Sequence, residues 1–212
     1  MITGPKYKIC RRLGEKVFAK CQTTKFATSG SAVGAKGGKG GGRGGSGGRP
    51  KSLTDYGRQL LEKQKARYAY GVGERQFSNY VKASRASSGQ SSPTERLYQA
   101  MESRLDNVVY RAGFAISRAF ARQMVSHGHI TVDGRRLNIP SYQVRPGQIV
   151  AIKEASRGKG MYTTLAERLK EYRLPEWLSA EKEAAVKVSR LPIQTPEMGL
   201  DFGPIIEFYS RV

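Results

Sequence analysis

The chain has 212 residues, enough for one ordinary domain or two small ones. It carries 37 Lys and Arg against 17 Asp and Glu, a formal net charge of +20 that repels itself and favours a bound polyanion such as nucleic acid. The longest unbroken aliphatic run, Ile149–Ile152, has four residues, whereas a membrane span needs about 20. We therefore expect no transmembrane segment.

The excess charge is confined to the first three quarters of the chain. Residues 1–51 carry 12 basic groups and 1 acidic group, residues 52–153 carry 16 and 7, and residues 154–212 carry 9 and 9. Charge kept only for solubility would be spread more evenly, so this distribution favours a polyanion bound before residue 154. The two cysteines are too few for a disulfide framework, and this is typical of an intracellular, reducing setting.

The first 50 residues are predicted to form a basic, flexible extension. Gly4, Pro5 and Gly14 interrupt any amphipathic helix near the start, and 11 of residues 30–48 are glycine. A G-x-G-x-x-G pattern at residues 42–47 is compositional, because no strand precedes it and no helix follows it directly. We expect this extension to be largely disordered until its cations meet a polyanion.

A helical hairpin is predicted after the extension. One helix of about four turns begins at its N-cap residue Thr54 and ends before Gly71, and a second helix occupies about residues 73–89. This hairpin accounts for residues 51–94.

The last segment, the tail of residues 155–212, belongs to the part of the chain from residue 154 onward that has no net charge. An apolar stripe of Leu165, Leu169 and Tyr172 predicts a helix, and residues 204–212 are strand-like. We expect this neutral tail to pack on the helical hairpin, so that residues 51–94 and 155–212 form one helical domain.

The clearest helix start in the chain lies between these segments. Ser92 is placed as an N-cap, Pro93 occupies the first helical position, and Glu95 completes a capping box. Ser117 is expected to cap a later helix.

Strand signals follow the helix capped by Ser117. Asp133-Gly134 is a strong hairpin signal, and a further strand pair is expected around Pro146-Gly147. Residues 95–154 are therefore predicted to form an α+β module in which two short helices lie against a small, mostly antiparallel sheet.

Four arginines of this module are candidates for phosphate binding. They are Arg118, Arg122, Arg135 and Arg136. Helical spacing points the first two away from the apolar face, and the hairpin turn carries the others, so together they predict a phosphate clamp. The alternative is that they are ordinary solvated positions, or are paired with Asp106 or Glu102.

A resemblance to a known family rests on these residues and on others. Residues 104–153, RLDNVVYRAGFAISRAFARQMVSHGHITVDGRRLNIPSYQVRPGQIVAIK, resemble the RNA-binding module named after the fourth protein of the bacterial small ribosomal subunit. GPKYKICRRLGEKVF, DYGRQLLEKQKARYAYGVGERQF and IIEFYSR are similar to that ribosomal protein family itself. The resemblance covers about residues 4–26, 49–157 and 200–211.

The resemblance implies a structural constituent of the small ribosomal subunit, in the cytoplasm, that binds small-subunit ribosomal RNA at a multi-helix junction of the 5′ domain early in assembly. It also implies a place near the channel through which messenger RNA enters, beside small-subunit ribosomal proteins three and five, with influence on decoding accuracy. The RNA-binding residues expected in this sequence are Lys6, Lys8, Arg11, Arg12, Arg49, Lys51, Lys63, Lys65, Arg67, Tyr68, Arg75, Arg104, Arg111, Arg118, Arg122, His127, Arg135 and Arg136.

The sequence departs from the family at its cysteines. Many relatives hold zinc with four N-terminal cysteines, but here only Cys10 falls clearly at such a position, with Cys21 nearby. Tetrahedral zinc needs four ligands, and His127 and His129 belong to the other module. We therefore expect no metal and no other cofactor. Tyr68, interleaved with the basic run, is compatible both with stacking on a base and with packing.

The alternatives to a structural ribosomal protein are an RNA-modifying enzyme and a free RNA-binding assembly or stress factor. An RNA-modifying enzyme needs a second domain with a nucleophile or general base in a pocket, and the carboxylates after residue 154 instead alternate with Lys and Arg as on a solvated helix face. We therefore expect no enzymatic activity. A free RNA-binding assembly or stress factor needs only the module and a basic tail, so the resemblance at both ends of the chain weighs against it.

Overall fold

The structure is a computed structural model that describes residues 4–23, 53–87, 91–157, 169, 172–182, 184–193 and 199–211. These residues divide into two compact units. The first contains the described residues up to Val81 and those from Gly199 onward, and the second contains those from Lys82 to residue 193. None of the helices within these ranges combines the length and the apolar character that crossing a bilayer requires.

The N-terminal residues of the first unit are helical. Helix α1 spans Lys6–Leu13, and a 3-10 turn spans Ala19–Cys21. The expectation of an unstructured extension is therefore wrong for residues 4–23. Pro5 and Gly14 bound the helix instead of interrupting it, and Gly14 ends it with φ 73°. The rest of the predicted flexible segment lies outside the described residues.

Both helices that were predicted after the extension are present. Helix α2 spans Asp55–Tyr70, and its N-cap Thr54 accepts a hydrogen bond at Oγ1 from the Gly57 N–H at 3.2 Å. Gly71 ends α2 in the left-handed region, with φ 66°. Helix α3 spans Glu74–Ala86.

In the second unit, helices α4, Pro93–Glu102, α5, Leu105–Arg111, and α6, Arg118–Ser126, come first. The Ser92 capping box and the Ser117 cap are both present. The strands that follow are β1, Ile130–Val132, β2, Arg135–Leu137, and β3, Ile149–Ile152. The four-residue helix α7 spans Glu154–Arg157, and β4, Leu178–Lys182, and β5, Ala185–Val188, complete the unit's elements.

The strands form one antiparallel sheet in the order β2-β1-β3-β5-β4. Its core joins residues of α5 and α6 to the inward side chains of the strands, among them Leu105, Met124, Ile130 and Val150. The α+β fold class is therefore confirmed, with short helices packed against an antiparallel sheet. The hairpin turn has the two positive φ values of a type I′ turn, 49° at Asp133 and 78° at Gly134.

Of the strand pair predicted around Pro146-Gly147, the strand after the turn forms as β3, but the strand before the turn does not. Within residues 142–145 the structure has only an isolated bridge between Gln143 and Arg104. The backbone groups there bond to the start of α5 instead, because the Leu105 N–H donates to the Tyr142 carbonyl at 2.8 Å and the Val144 N–H donates to the Ser103 carbonyl at 2.8 Å. This segment therefore accepts the hydrogen bond of the Leu105 N–H, which has no partner within α5, and donates one to the residue that ends α4.

The tail was predicted to pack on the helical hairpin, and it divides instead. Strand β5 pairs with β3, Val150 lying opposite Val186, and with β4, so these two strands enlarge the sheet of the second unit. The predicted helix around residues 161–174 lies almost wholly outside the described residues, although Leu169 and Tyr172 pack over Gly113.

The strand-like end of the chain is a helix. Helix α8 spans Gly203–Arg211 and packs on α2, with the ring centroids of Tyr56 and Phe208 5.4 Å apart. Burial of Ile205 and Phe208, three residues apart, on one helix face overrides their strand propensity. Asp201 supports the start of this helix, because its Oδ1 accepts a hydrogen bond from the Gly203 N–H at 2.9 Å.

Candidate RNA-binding surfaces

A fully buried carboxylate, that of Glu102, organises the helices of the second unit. It accepts two hydrogen bonds from Arg111, Nε to Oε2 at 2.9 Å and Nη2 to Oε1 at 3.0 Å. The Asn107 side-chain amide donates to Oε2 at 2.8 Å and to the Glu102 carbonyl at 3.0 Å. Burial and the nearby Glu102 charge raise the pKa of Tyr98 to about 12. These contacts fix the junction between α4 and α5.

Arg118 is held on the same network. Its Nε donates to Asn107 Oδ1 at 2.7 Å, its Nη2 lies 4.0 Å from Glu102 Oε1, and its guanidinium lies 4.6 Å from the centre of the Tyr110 ring. The side chain remains 21% exposed. Asn107 therefore connects a buried carboxylate to a partly exposed cation.

Asp106 plays the corresponding part for Arg104 and Arg122. Arg104 is fully buried and binds Asp106 with two hydrogen bonds, Nε to Oδ1 at 3.0 Å and Nη2 to Oδ2 at 2.6 Å. Arg122 Nη1 lies 3.5 Å from Asp106 Oδ2, and its side chain is 31% exposed. The expectation that Arg104 contacts RNA is corrected here, since its guanidinium belongs to the protein interior.

The two predictions made for Arg118 and Arg122, exposure toward a phosphate and pairing with an acidic residue, are compatible with each other. The two arginines do pair with Glu102 and Asp106, as the alternative supposed, yet neither is buried. Among the described residues of this cluster, four arginines meet two carboxylates, so it keeps an excess of positive charge. Such a cluster holds its cations in fixed positions and still attracts an anion.

The hairpin does not present its two arginines together. Opposite residues of a strand pair share a face, and Arg135 lies opposite Val132 whereas Arg136 lies opposite Thr131. Both arginines are exposed. The two hairpin arginines of the predicted phosphate clamp therefore lie on opposite faces of the hairpin and do not form one edge.

The hairpin turn is tied to the turn before β3. Asp133 Oδ1 accepts a hydrogen bond from the Ile149 N–H at 2.8 Å, and its Oδ2 accepts one from Gln148 Nε2 at 2.8 Å. Gln148 Oε1 in turn accepts from the Arg145 N–H at 2.9 Å. The sequence predicted Asp133 as a turn residue, but no local signal indicated Gln148.

His127 follows α6 as its C-cap residue and is exposed. Its ring centre lies 6.1 Å from that of His129, whose Nδ1 is 3.0 Å from Ser156 Oγ. The structure therefore places His127 at the carboxyl end of the helix that carries Arg118 and Arg122.

In the first unit, the predicted basic run is largely interior. Lys63 and Lys65 are buried. Lys63 Nζ lies 2.7 Å from Glu74 Oε1, and Lys65 Nζ lies 2.5 Å from Glu15 Oε1 and 2.8 Å from Glu62 Oε1. Burial lowers the pKa of Lys65, but the hydrogen bonds to the two carboxylates outweigh it and leave the pKa raised. The expectation that these lysines contact RNA is corrected, because they are enclosed ion-pair partners.

Glu74 binds polar side chains from both α2 and α8. Besides Lys63, it binds Arg67 Nη1 at 3.0 Å and the Tyr209 hydroxyl at 2.7 Å. Burial raises the pKa of this carboxyl, but the hydrogen bonds from Lys63 and Tyr209 outweigh it and leave the pKa lowered. Tyr68 packs edge-on against Phe18 and lies under the Arg67 guanidinium, which favours packing over base stacking.

Four of the predicted RNA-binding cations of the first unit lie together on α1. The four predicted there, Lys6, Lys8, Arg11 and Arg12, are all exposed, as is Arg75 on α3. Cys10 and Leu13 face inward and anchor the helix. Arg49 and Lys51 lie outside the described residues.

The cysteines do not fit the zinc site that the family implies. Cys10 and Cys21 are both fully buried and adjoin each other. Burial and the neighbouring Cys10 raise the pKa of Cys21 to about 11, which opposes the thiolate that a metal requires. Among the described residues, no third His, Cys, Asp or Glu joins them, so two of four ligands are present.

The second unit, with its helices, hairpin and arginine cluster, defines a small α+β nucleic-acid-binding module. Residues 103–150 match the family model described as the S4 domain, and residues 1–102 match the one described as the ribosomal protein S4/S9 N-terminal domain.

Curated relatives align along nearly the whole chain. The small ribosomal subunit proteins uS4 of Natranaerobius thermophilus and Chloroflexus aurantiacus are each 43% identical to it, over 98% of both chains. That of Thermotoga maritima is 38% identical, over 99% of this chain and 98% of its own. The chain therefore belongs to the ribosomal protein S4 family, also called uS4. This is a family of structural proteins, which agrees with the expectation of no enzymatic activity.

Proposed function

We propose that this protein is a structural constituent of the small ribosomal subunit, in the cytoplasm, and that it binds small-subunit ribosomal RNA through cationic surfaces on both of its units. The observation that carries the proposal is the arginine cluster of the second unit. Buried Glu102 and Asp106 hold Arg118 and Arg122 in place while both arginines remain partly exposed. Guanidinium groups held in this way bind phosphate with little loss of side-chain entropy.

The second surface is that of α1 in the first unit. Lys6, Lys8, Arg11 and Arg12 are exposed on a helix whose inward side is anchored by Cys10. Cations on a folded helix attract a nucleic-acid backbone and release its counterions on binding. With Arg75, Arg135, Arg136 and His127, these residues make up the exposed part of the RNA-binding set within the described residues.

The finer placement rests on family membership. It includes early binding at a junction in the 5′ domain, contacts with small-subunit ribosomal proteins three and five, and a position near the path of incoming messenger RNA, with an effect on decoding accuracy. RNA rather than DNA is the proposed ligand on the same ground.

Sedimentation of the cellular protein tests the proposal. In a sucrose gradient of a cell lysate, the protein should migrate with the small subunit and with the assembled ribosome, and it should move to lighter fractions after ribonuclease digestion. A predominant pool that stays away from the small subunit would instead support the free assembly or stress factor.

A further inference from the structure

Helix α6 ends at a glycine whose backbone is left-handed. Gly128 follows the C-cap His127 and has φ +72°. Its N–H donates to the Val125 carbonyl at 2.8 Å, and the His129 N–H donates to the Met124 carbonyl at 3.0 Å. These bonds satisfy the last carbonyl groups of the helix and turn the chain into β1.

The guanidinium of Arg136 lies against this glycine. A Cβ atom built on Gly128 would meet Nε, Nη2 and Cζ of Arg136 at less than 3.0 Å, a separation that real Cβ atoms essentially never show. Arg136 Nη2 is also 3.5 Å from the His127 carbonyl oxygen. Arg136 therefore reaches from β2 to the carboxyl end of α6, where the helix dipole stabilises a cation.

The two demands on residue 128 can be separated. The positive φ is tolerated by asparagine and, with some strain, by alanine, whereas the missing Cβ is a property of glycine alone. Gly71 provides the comparison, because it also ends a helix in the left-handed region, with φ +66°, but has no heavy atom within 4 Å of its hypothetical Cβ. A side chain at position 71 would therefore cause backbone strain but no steric clash.

The atoms that a Cβ at position 128 would displace belong to the far end of a flexible side chain. Arg136 is exposed, so its guanidinium can swing away with little effect on the core. A substitution at Gly128 should therefore lose the position of the guanidinium while keeping the fold.

We propose that Gly128 is a positioning residue for RNA binding. By lacking a side chain it lets the Arg136 guanidinium lie on the carboxyl end of α6, and from there Arg136 binds a backbone phosphate of small-subunit ribosomal RNA. The inference rests on the proposed function and adds to it the residue that sets the position of one phosphate ligand.

The test compares Gly128→Ala, Gly71→Ala, Arg136→Gln and the double variant Gly128→Ala/Arg136→Gln with the unaltered full chain. Affinity for an in vitro transcript of the same organism's small-subunit ribosomal RNA is measured over a series of KCl concentrations, with an unrelated RNA of equal length as reference. Circular dichroism checks that each variant is folded. If Gly128→Ala loses its helical signal, Gly128→Asn is compared with Gly71→Asn, since asparagine tolerates a positive φ.

Gly128→Ala is expected to weaken binding about five- to tenfold and to reduce the slope of log affinity against log salt by about 1, as the loss of one phosphate contact does. Arg136→Gln should do the same, and the double variant should be no weaker than Arg136→Gln. Gly71→Ala should stay within about twofold of the unaltered chain.

Two results would overturn the inference while leaving ribosomal RNA binding intact. One is that Gly128→Ala behaves like Gly71→Ala although Arg136→Gln weakens binding, and the other is that Arg136→Gln leaves both affinity and salt slope unchanged. Equal affinity of the unaltered chain for the two RNAs would instead overturn the proposed function on which the inference rests.

Discussion

The guanidinium of Arg111 binds both carboxylate oxygens of Glu102, at 2.9 and 3.0 Å, and Glu102 has no solvent exposure. A buried ion pair of this kind contributes little net stability compared with an apolar pair, but removing one partner leaves the other charge buried without compensation. The carboxylate also holds Asn107, which in turn holds Arg118. Folding of the module and placement of its cations therefore depend on the same carboxylate.

Replacement of Glu102 by glutamine should destabilise the protein strongly. We expect a loss of about 1–3 kcal/mol in the free energy of unfolding, because the fully buried glutamine amide would present a donor to the Arg111 guanidinium, which itself remains 22% exposed. Urea denaturation followed by circular dichroism measures it. The control is Glu176→Gln, which removes a carboxylate from an exposed pair with Arg190 and should change stability by less than about 1 kcal/mol. Equal effects of the two substitutions would contradict the buried network.

Removal of Arg118 and Arg122 together should weaken RNA binding and flatten its salt dependence. Arg118→Gln/Arg122→Gln is expected to lower the slope of log affinity against log salt by about 1 to 2. The control Arg173→Gln/Arg190→Gln removes the same charge from exposed positions of the same unit and should change the slope by less. An unchanged slope in the first variant would show that these two arginines do not touch phosphate.

The hairpin turn should depend on glycine at position 134. With φ at 78° and no heavy atom within 4 Å of its hypothetical Cβ, Gly134→Val fails through backbone strain, and we expect a loss of about 1–3 kcal/mol. Gly134→Asn should lose only a few tenths, since asparagine is common in this turn. Thermal unfolding of the two variants compares them directly, and similar melting temperatures would contradict the type I′ assignment.

Acid should remove the stability that Glu74 provides. Its pKa is lowered from 4.5 in the folded chain, because the hydrogen bonds from Lys63 and Tyr209 outweigh the opposing effect of burial. A carboxyl whose folded pKa is depressed contributes stability above its unfolded pKa and loses it as the pH falls through the folded value. The free energy of unfolding should therefore decrease as the pH is lowered below about 4.5. In Glu74→Gln this part of the acid dependence should be missing, and an unchanged pH profile in that variant would refute the assignment.

Local chemistry in the sequence was sufficient for the helix caps and the hairpin. Ser92, Thr54 and Ser117 each accept the backbone hydrogen bond that their position predicts, and Asp133-Gly134 forms the expected turn. These features involve residues three apart or fewer, so no distant partner can change them.

Features that depend on distant partners were not predictable from the sequence. Lys65 is buried and forms an ion pair with Glu15, which lies 50 residues earlier in the chain. The sequence had instead predicted that the basic run containing Lys65 is an exposed RNA-binding surface. Strands β4 and β5 join the sheet through a register with β3 that local alternation does not specify. No sequence motif marked Asn107 or Gln148. Asn107 binds Arg118 and Gln148 binds Asp133, and only the fold brings these partners within hydrogen-bonding distance.

The most direct test of the whole account is the affinity of the purified chain for its own small-subunit ribosomal RNA, measured against an unrelated RNA of equal length at cellular ionic strength. Non-specific attraction to the phosphate backbone is common to both RNAs, so a difference in affinity between them requires a specific binding site on the protein. We expect the ribosomal RNA to bind at least tenfold more tightly, which is well below the margin of about 10³-fold or more that specific recognition typically provides. Equal affinity for the two RNAs would contradict the account.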